Sequence, residues 1–439
     1  MLYPDPVRLD HATGDATGVP MPAHGDALAS GGADWLTLAF RAFGYLAPDN
    51  AVTRIVSFTP CPGGSTGAKF FLDVDYARAD PGLHRRLFVK FSRDFTDPRR
   101  DHPGRYEMAS EARFMPLTRL PGFPIEVPAA CFADYHFASG TGLVITERVA
   151  FGEAPIEPHR GKCLDWQTTP DPLPYYRATV AALARLCAAH RAGHLSPGID
   201  KTFPFDPVAG SADPIRYSAA ELEAELAYGE QFAARAPQML PAEVRDPAFL
   251  RTVRRDALRI REHEAMIQRA LTGDPRMIAL CHWNAHIDNC WFHRDAGGTL
   301  HCGLIDWGRV GRITLGSALW GGLSAAHHDI WDHHLAELLD LFVDEYRAGG
   351  GPAITAQELE DHLTLHIMAM GVARVLAFPE IIDFRVPGLD RLTGPRDPAV
   401  LSVEPARNCL HVYTVFLKFW RRQDFGAALD RLLLRSGQG

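Results

Sequence analysis

The dominant period of the apolar pattern shifts from strand-like to helical near Val149, and that shift constrains the fold more than any other feature. From Val52 to Val149, apolar residues fall in short alternating or β-branched runs separated by turns. Beyond Val149 they recur at helical spacing, as in Tyr176, Val180, Leu183, Cys187 and His190, with Gly193 as a stop. The reading is an α+β chain with a small sheet-rich lobe, a short connector and a larger helical lobe. At 439 residues the chain exceeds one compact core. Residues 1–33, rich in Pro, Gly, Ala and Asp, are expected to form a loose arm. Residues 34–149 would be the small lobe and 150–439 the helical lobe.

The spacing of Trp35, Leu36, Ala39, Phe40 and Phe43 predicts a short helix ending near Gly44. Strands are expected over 52–59, 69–76 and 85–91, joined by turns into an antiparallel meander. A helix over 106–120 follows, containing Glu107 and Glu111, and then two strands over 129–135 and 142–146. Helices are expected over 221–234 and 251–271. Residues 277–307 break the helical pattern with a short apolar run, a polar loop and two small strands around Gly297-Gly298. From Ser317 onward the chain reads mainly as helix.

Composition excludes several roles. Asp plus Glu number 53 against 45 Lys plus Arg, so the chain is not built to coat nucleic acid or an anionic membrane surface. The weakly polar stretch 367–378 contains Arg374 and is shorter than the roughly 20 residues a membrane span needs. The opening residues show no basic region followed by an apolar run, so no secretory signal is expected. Eight scattered cysteines without a Cys-x-x-Cys pair suggest reduced, mostly buried thiols in a cytoplasmic protein.

The most specific motif is His282-Trp283-Asn284-Ala285-His286-Ile287-Asp288-Asn289, with Ile305-Asp306-Trp307-Gly308 beginning 16 residues after Asn289. A His-x-Asp-x-x-x-x-Asn loop, a strand pair and an Ile-Asp-aromatic-Gly turn describe a phosphoryl-transfer site. In that pattern the first carboxylate accepts the substrate hydroxyl proton, while the Asn and the second Asp hold Mg²⁺ against nucleotide phosphates. Here the proton-accepting position is Asn284. An amide takes no proton at neutral pH. Asn284 would orient the hydroxyl while Asp288, His286 or water accepts the proton.

The upstream context agrees. Lys90 lies inside an apolar strand, where an ammonium needs an ion partner or a phosphate. Glu111 is the natural partner, with Glu107 one turn earlier as competitor. Gly63, Gly64, Ser65 and Gly67 join the first two strands, where backbone N–H groups could cover phosphates. Glu147 and Val149 end the last strand and would form a hinge whose backbone bonds adenine.

In these stretches the chain resembles the aminoglycoside phosphotransferase and choline kinase superfamily of the protein-kinase-like fold, most closely its ecdysteroid-kinase-like branch. The likeness also takes in Ala33-Asp34-Trp35-Leu36 and Val127-Pro128-Ala129, and spans roughly residues 33–350. It implies a bilobal fold with ATP and Mg²⁺ between the lobes. Lys90 would lie on the phosphates, oriented by Glu111, with Asn289 and Asp306 on the metal and a small-molecule alcohol as acceptor. The family's loop usually reads His-Gly-Asp where this chain has His282-Trp283-Asn284. Family members also often open the next helix with another Asp, where this chain has Leu315-Gly316-Ser317. A slow kinase is therefore expected, or alternatively a pseudokinase that binds nucleotide without transferring phosphate.

One further segment, His327-His328-Asp329-Ile330-Trp331-Asp332-His333-His334, is chemically dense. On a helix, Asp329 with His333 and His328 with Asp332 share faces, as in zinc-binding pairs. The plainer reading is a polar helix face. Trp320 and Trp331 are candidate walls for a substrate.

Overall fold

The sheet meander is the scaffold on which the first group of candidate residues is built. The computed structural model describes residues 9–62, 67–92, 107–435 and 437, divided into two units. The first unit comprises the chain through Pro158 together with Leu195–Phe203 and Gly303–Val310. It holds β1 (His11–Thr13), β2 (Pro20–Pro22), helix α1 (Gly25–Ala42), β3 (Val52–Pro60), β4 (Lys69–Tyr76), β5 (Arg86–Phe91), helix α2 (Glu107–Phe114), β6 (Ala130–His136) and β7 (Thr141–Glu147). Strands β3 to β7 form one antiparallel sheet in the order β3-β4-β5-β7-β6. The expected strands are thus present, with ends within one residue or so of the sequence reading.

Along central β5, Leu87, Val89 and Phe91 are buried with α1 in the core around Leu36, Ala39 and Phe40. Period-two alternation then sends Lys90 to the opposite face. That single register choice places the ammonium where α2 can reach it.

The arm differs from expectation over its described part. Strands β1 and β2 pair as a hairpin, and α1 begins at Gly25 with the His24 ring accepting from the Ala27 N–H. The loop between the strands is held by the Asp134 carboxylate, which accepts from the N–H groups of Ala16 and Thr17 at 3.1 and 2.7 Å. Trp35 Nε1 donates to Pro20 O. These anchors lie far away in sequence, so local composition could not disclose them. Within α1, Gly32 has φ 60 and breaks the helix, and the part containing Trp35 is the one the spacing predicted.

The second unit carries the helices Leu173–Arg191, Ala219–Arg235, Pro247–Glu262, Glu264–Thr272, Leu315–Leu323, His328–Ala348, Ala356–Arg374, Glu404–Gln423 and Phe425–Arg435. The helix expected over 251–271 is two helices, divided at His263. Two short strands, β8 (Ile278–Cys281) and β11 (Gly311–Thr314), pair antiparallel, and β9 (Cys290–Arg294) pairs with β10 (Leu300–Leu304). All eight cysteines are free thiols. Among the described residues one stretch, Ala356–Arg385, has the length and apolarity of a bilayer span, and 61% of its most apolar window is buried inside the protein.

Candidate active site

Two groups of side chains match the motif residues, one in each unit. In the sheet unit, Lys90 Nζ donates to Glu111 Oε2 at 2.7 Å and to Asp306 Oδ1 at 2.5 Å. Lys90 and Glu111 are only 3% and 4% exposed. Glu111, not Glu107, is therefore the partner. Burial opposes the Lys90 charge, but the Glu111 and Asp306 carboxylates outweigh it and hold the ammonium above its ordinary pKa. Burial pushes the Glu111 carboxyl upward, and Lys90 opposes that push.

Asp306 reaches this pair because its segment is tied down on both sides. Leu304 N–H donates to Glu126 O, and Arg309 N–H donates to Glu107 O on α2. The buried Trp307 ring stacks on Phe114 of α2 at 4.2 Å and donates its N–H to Leu304 O. Asp306 itself has φ 61, a left-handed conformation that Asp tolerates better than most residues. At Gly308 an added Cβ would stand 3.8 Å from Lys90 Nζ and 3.9 Å from Glu111 Oε2, so this glycine covers the pair.

In the helical unit, β8 delivers the chain into the second group. Buried His282 accepts the Asn284 N–H at Nδ1, 3.1 Å away. Asn289 Nδ2 donates to Asn284 O at 2.9 Å. That bond assigns the amide orientation and leaves Asn289 Oδ1 as an acceptor without a hydrogen bond among the described residues. The Asn284 carboxamide likewise bonds to none of them. Gly321 permits this loop: a Cβ there would lie 1.8 Å from Trp283 O, so the helix Leu315–Leu323 must pass against the loop backbone.

The two candidate proton acceptors differ sharply. His286 is buried, its Nε2 meets Ser324 Oγ at 2.7 Å, and its Nδ1 has no partner among the described residues. Burial holds this imidazole well below its ordinary pKa, so it is neutral and enclosed. Asp288 keeps a buried Oδ1 without a hydrogen-bond partner among the described residues, and burial raises its carboxyl above its ordinary pKa against the pull of Lys162. His159 Nε2 donates to the Asp288 carbonyl at 2.9 Å.

The remaining expected residues fare unevenly. Gly63, Gly64 and Ser65 lie outside the described residues. Gly67 has φ 103, and a Cβ there would collide with Phe91 O at 2.0 Å. Glu147 donates its N–H to Ala129 O, and its carbonyl accepts from the Thr146 hydroxyl, which leaves that carbonyl one further lone pair. Val149 follows β7 with its N–H bonded to none of the described residues. Trp320 and Trp331 are buried against each other, ring centroids 5.8 Å apart, and Trp331 donates to Leu323 O. They are core, not exposed walls. The sequence reading missed Ser324, His159 and Gly321; of these only the Gly321-Gly322 pair, inside an apolar helix, carried a signal of close approach.

No family model and no curated protein matches the chain. Solved structures do. A choline kinase from Cryptosporidium parvum Iowa II aligns at 12% identity and TM-score 0.43, covering 87% of this chain and 91% of that one. A microcompartment-associated aminopropanol kinase aligns at 13% identity and TM-score 0.43, covering 89% of this chain and 98% of that one. A macrolide 2'-phosphotransferase type I aligns at 15% identity and TM-score 0.36, covering 80% and 93%.

Proposed function

We propose that the chain is an ATP-dependent phosphotransferase acting on the hydroxyl of a small molecule, within the aminoglycoside phosphotransferase and choline kinase type that its motifs resemble. The observation that supports this most is the buried Lys90 ammonium held between Glu111 and Asp306. A buried Lys90–Glu111 pair, joined by the half-buried Asp306 across a sequence separation of 216 residues, is costly to bury, which favours retention for a ligand over retention for stability.

The donor set suits nucleotide and Mg²⁺. Asn289 Oδ1 and the Asp306 carboxylate are hard oxygens of the kind Mg²⁺ takes. When bound, the metal would neutralise charge on the phosphates being transferred. Lys90 would bind phosphate oxygen, with Glu111 fixing its position. Asn284 would orient the acceptor hydroxyl through its carboxamide, and Asp288 is the better placed of the two candidate acceptors on grounds of exposure, since it is half-buried while His286 is enclosed.

A second reading, nucleotide binding without transfer, is favoured by the amide at Asn284. General-base assistance contributes about 10²–10⁴-fold in enzymes that have it. The test is Mg²⁺-dependent phosphate transfer from ATP to a panel of alcohols. Wild type should turn over slowly, Asn284→Asp should raise kcat by about 10²-fold or more, and Asp306→Ala should abolish turnover. ATP-induced thermal stabilisation with no transfer by either wild type or Asn284→Asp would select the binding-only reading. Undiminished transfer in Asp306→Ala would defeat both.

A further inference from the structure

The turn that opens the helix His328–Ala348 gathers three metal-ligating side chains that the proposed reaction does not use. His327 Nδ1 stands 3.1 Å from one carboxylate oxygen of Asp329, and His328 Nε2 stands 3.8 Å from the other. The two imidazole rings are tilted by 37° to one another, centroids 3.9 Å apart. One ligand atom from each residue falls within 4.8 Å of the other two. Bonds of about 2.0–2.2 Å to a tetrahedral ion put neighbouring ligand atoms roughly 3.3–3.6 Å apart, so the trio needs only a small closing movement.

The arrangement differs from the shared-face pairs that helical spacing suggested. Asp332, expected opposite His328, accepts a hydrogen bond from Lys418 Nζ at 2.5 Å. Its charge is thereby spent, and Asp329 is the carboxylate left to the histidines.

We propose that His327, His328 and Asp329 bind one divalent transition-metal ion of the zinc, nickel or copper class. Two imidazoles and a carboxylate suit those ions, whereas Mg²⁺ and Ca²⁺ prefer oxygen alone. The ligand turn is preset by its surroundings. Asp165, fully buried, accepts from the His327 N–H at 2.8 Å and from the Tyr176 hydroxyl at 2.9 Å. His411 Nε2 donates to Ala326 O at 2.8 Å. The Asp329 side chain is 64% exposed, which leaves water access for further coordination positions. Two features oppose the ion: the positive end of the helix dipole and the nearby Lys418. They weaken the site relative to a closed structural zinc centre of four ligands.

The proposal is independent of the phosphotransferase reading, and its test uses metal alone. Full-length, tag-free protein without nucleotide is titrated with Co²⁺ and followed by visible absorption. One equivalent should bind, give bands of imidazole-ligated cobalt, and be displaced by Zn²⁺. His328→Gln and Asp329→Asn should each weaken binding at least tenfold, as loss of a metal ligand does. Asp306→Ala should leave it unchanged. Absence of stoichiometric binding overturns the site, and so does binding that survives both substitutions at wild-type strength. Loss of binding in Asp306→Ala alone would assign the metal elsewhere and equally overturn it.

Discussion

At the scale of single residues, Lys90 was legible and His286 was not. A lysine between Val89 and Phe91 announces an ammonium that must find a partner, and Glu111 lies on the next helix. What His286 does depends on Ser324, 38 residues away, and no local pattern encodes that pairing. The choice between Glu111 and Glu107 also needed the helix to be seen in place. Removing the lysine should be costly. Lys90→Met leaves the buried Glu111 carboxylate without its cation beside the half-buried Asp306, and breaking a buried pair from one side typically costs about 3–5 kcal/mol. Lys90→Met combined with Glu111→Leu should lose less than the single variant, because it buries no orphan charge beside Asp306. Urea unfolding of both variants checks this. A single variant as stable as wild type would mean that the ammonium is not buried between carboxylates.

At the scale of elements, the strands were read well because alternation survives wherever one face meets a core. Helix boundaries were read less well. The break at His263 follows no Gly or Pro; His263 adopts φ −101 and ψ 14, and its N–H bonds back to Arg259 and Arg261 carbonyls. Only packing selects such a stop. The glycines of Leu315–Leu323 show the opposite case, in which a sequence signal has a definite spatial cause. Gly321→Ala forces a methyl into the Trp283 carbonyl and the Asn284 N–H, both of them backbone. Overpacking of this kind costs about 1–3 kcal/mol. Gly198→Ala, with nothing within 4 Å of the new carbon, serves as the control. Thermal melting should fall for the first and hold for the second, and turnover should fall with the first because the loop carrying Asn284 is displaced.

At the scale of the whole molecule, the helical unit buries several histidines as neutral rings. Burial lowers His286, His362 and His411, and holds His366 down to about 3. An unfolded imidazole titrates near about 6.5. Between those values the unfolded chain binds more protons than the folded one, so stability falls as pH drops below about 6.5. Each such ring contributes a slope of up to about 1.4 kcal/mol per pH unit. Melting temperature measured from pH 7 to pH 4 should decline steeply, and His366→Gln should flatten that decline. An unchanged slope would show that His366 titrates normally in the fold. The change of period marks where strands give way to helices along the chain. The return of Gly303–Val310 to the sheet unit was not legible, because it is made by contacts with Glu107, Glu126 and Phe114 instead of by any pattern within those eight residues.

That returning segment has a consequence for how the protein is made. During synthesis β5 and α2 leave the ribosome long before Asp306 does, since 216 residues separate it from Lys90. The nascent sheet unit must therefore wait, its central ammonium holding one carboxylate instead of two and its α2 lacking the Trp307 stack. Native closure of this unit is deferred until most of the helical unit has been translated, which makes the two halves of the chain a single folding problem in time, whatever their separation in space.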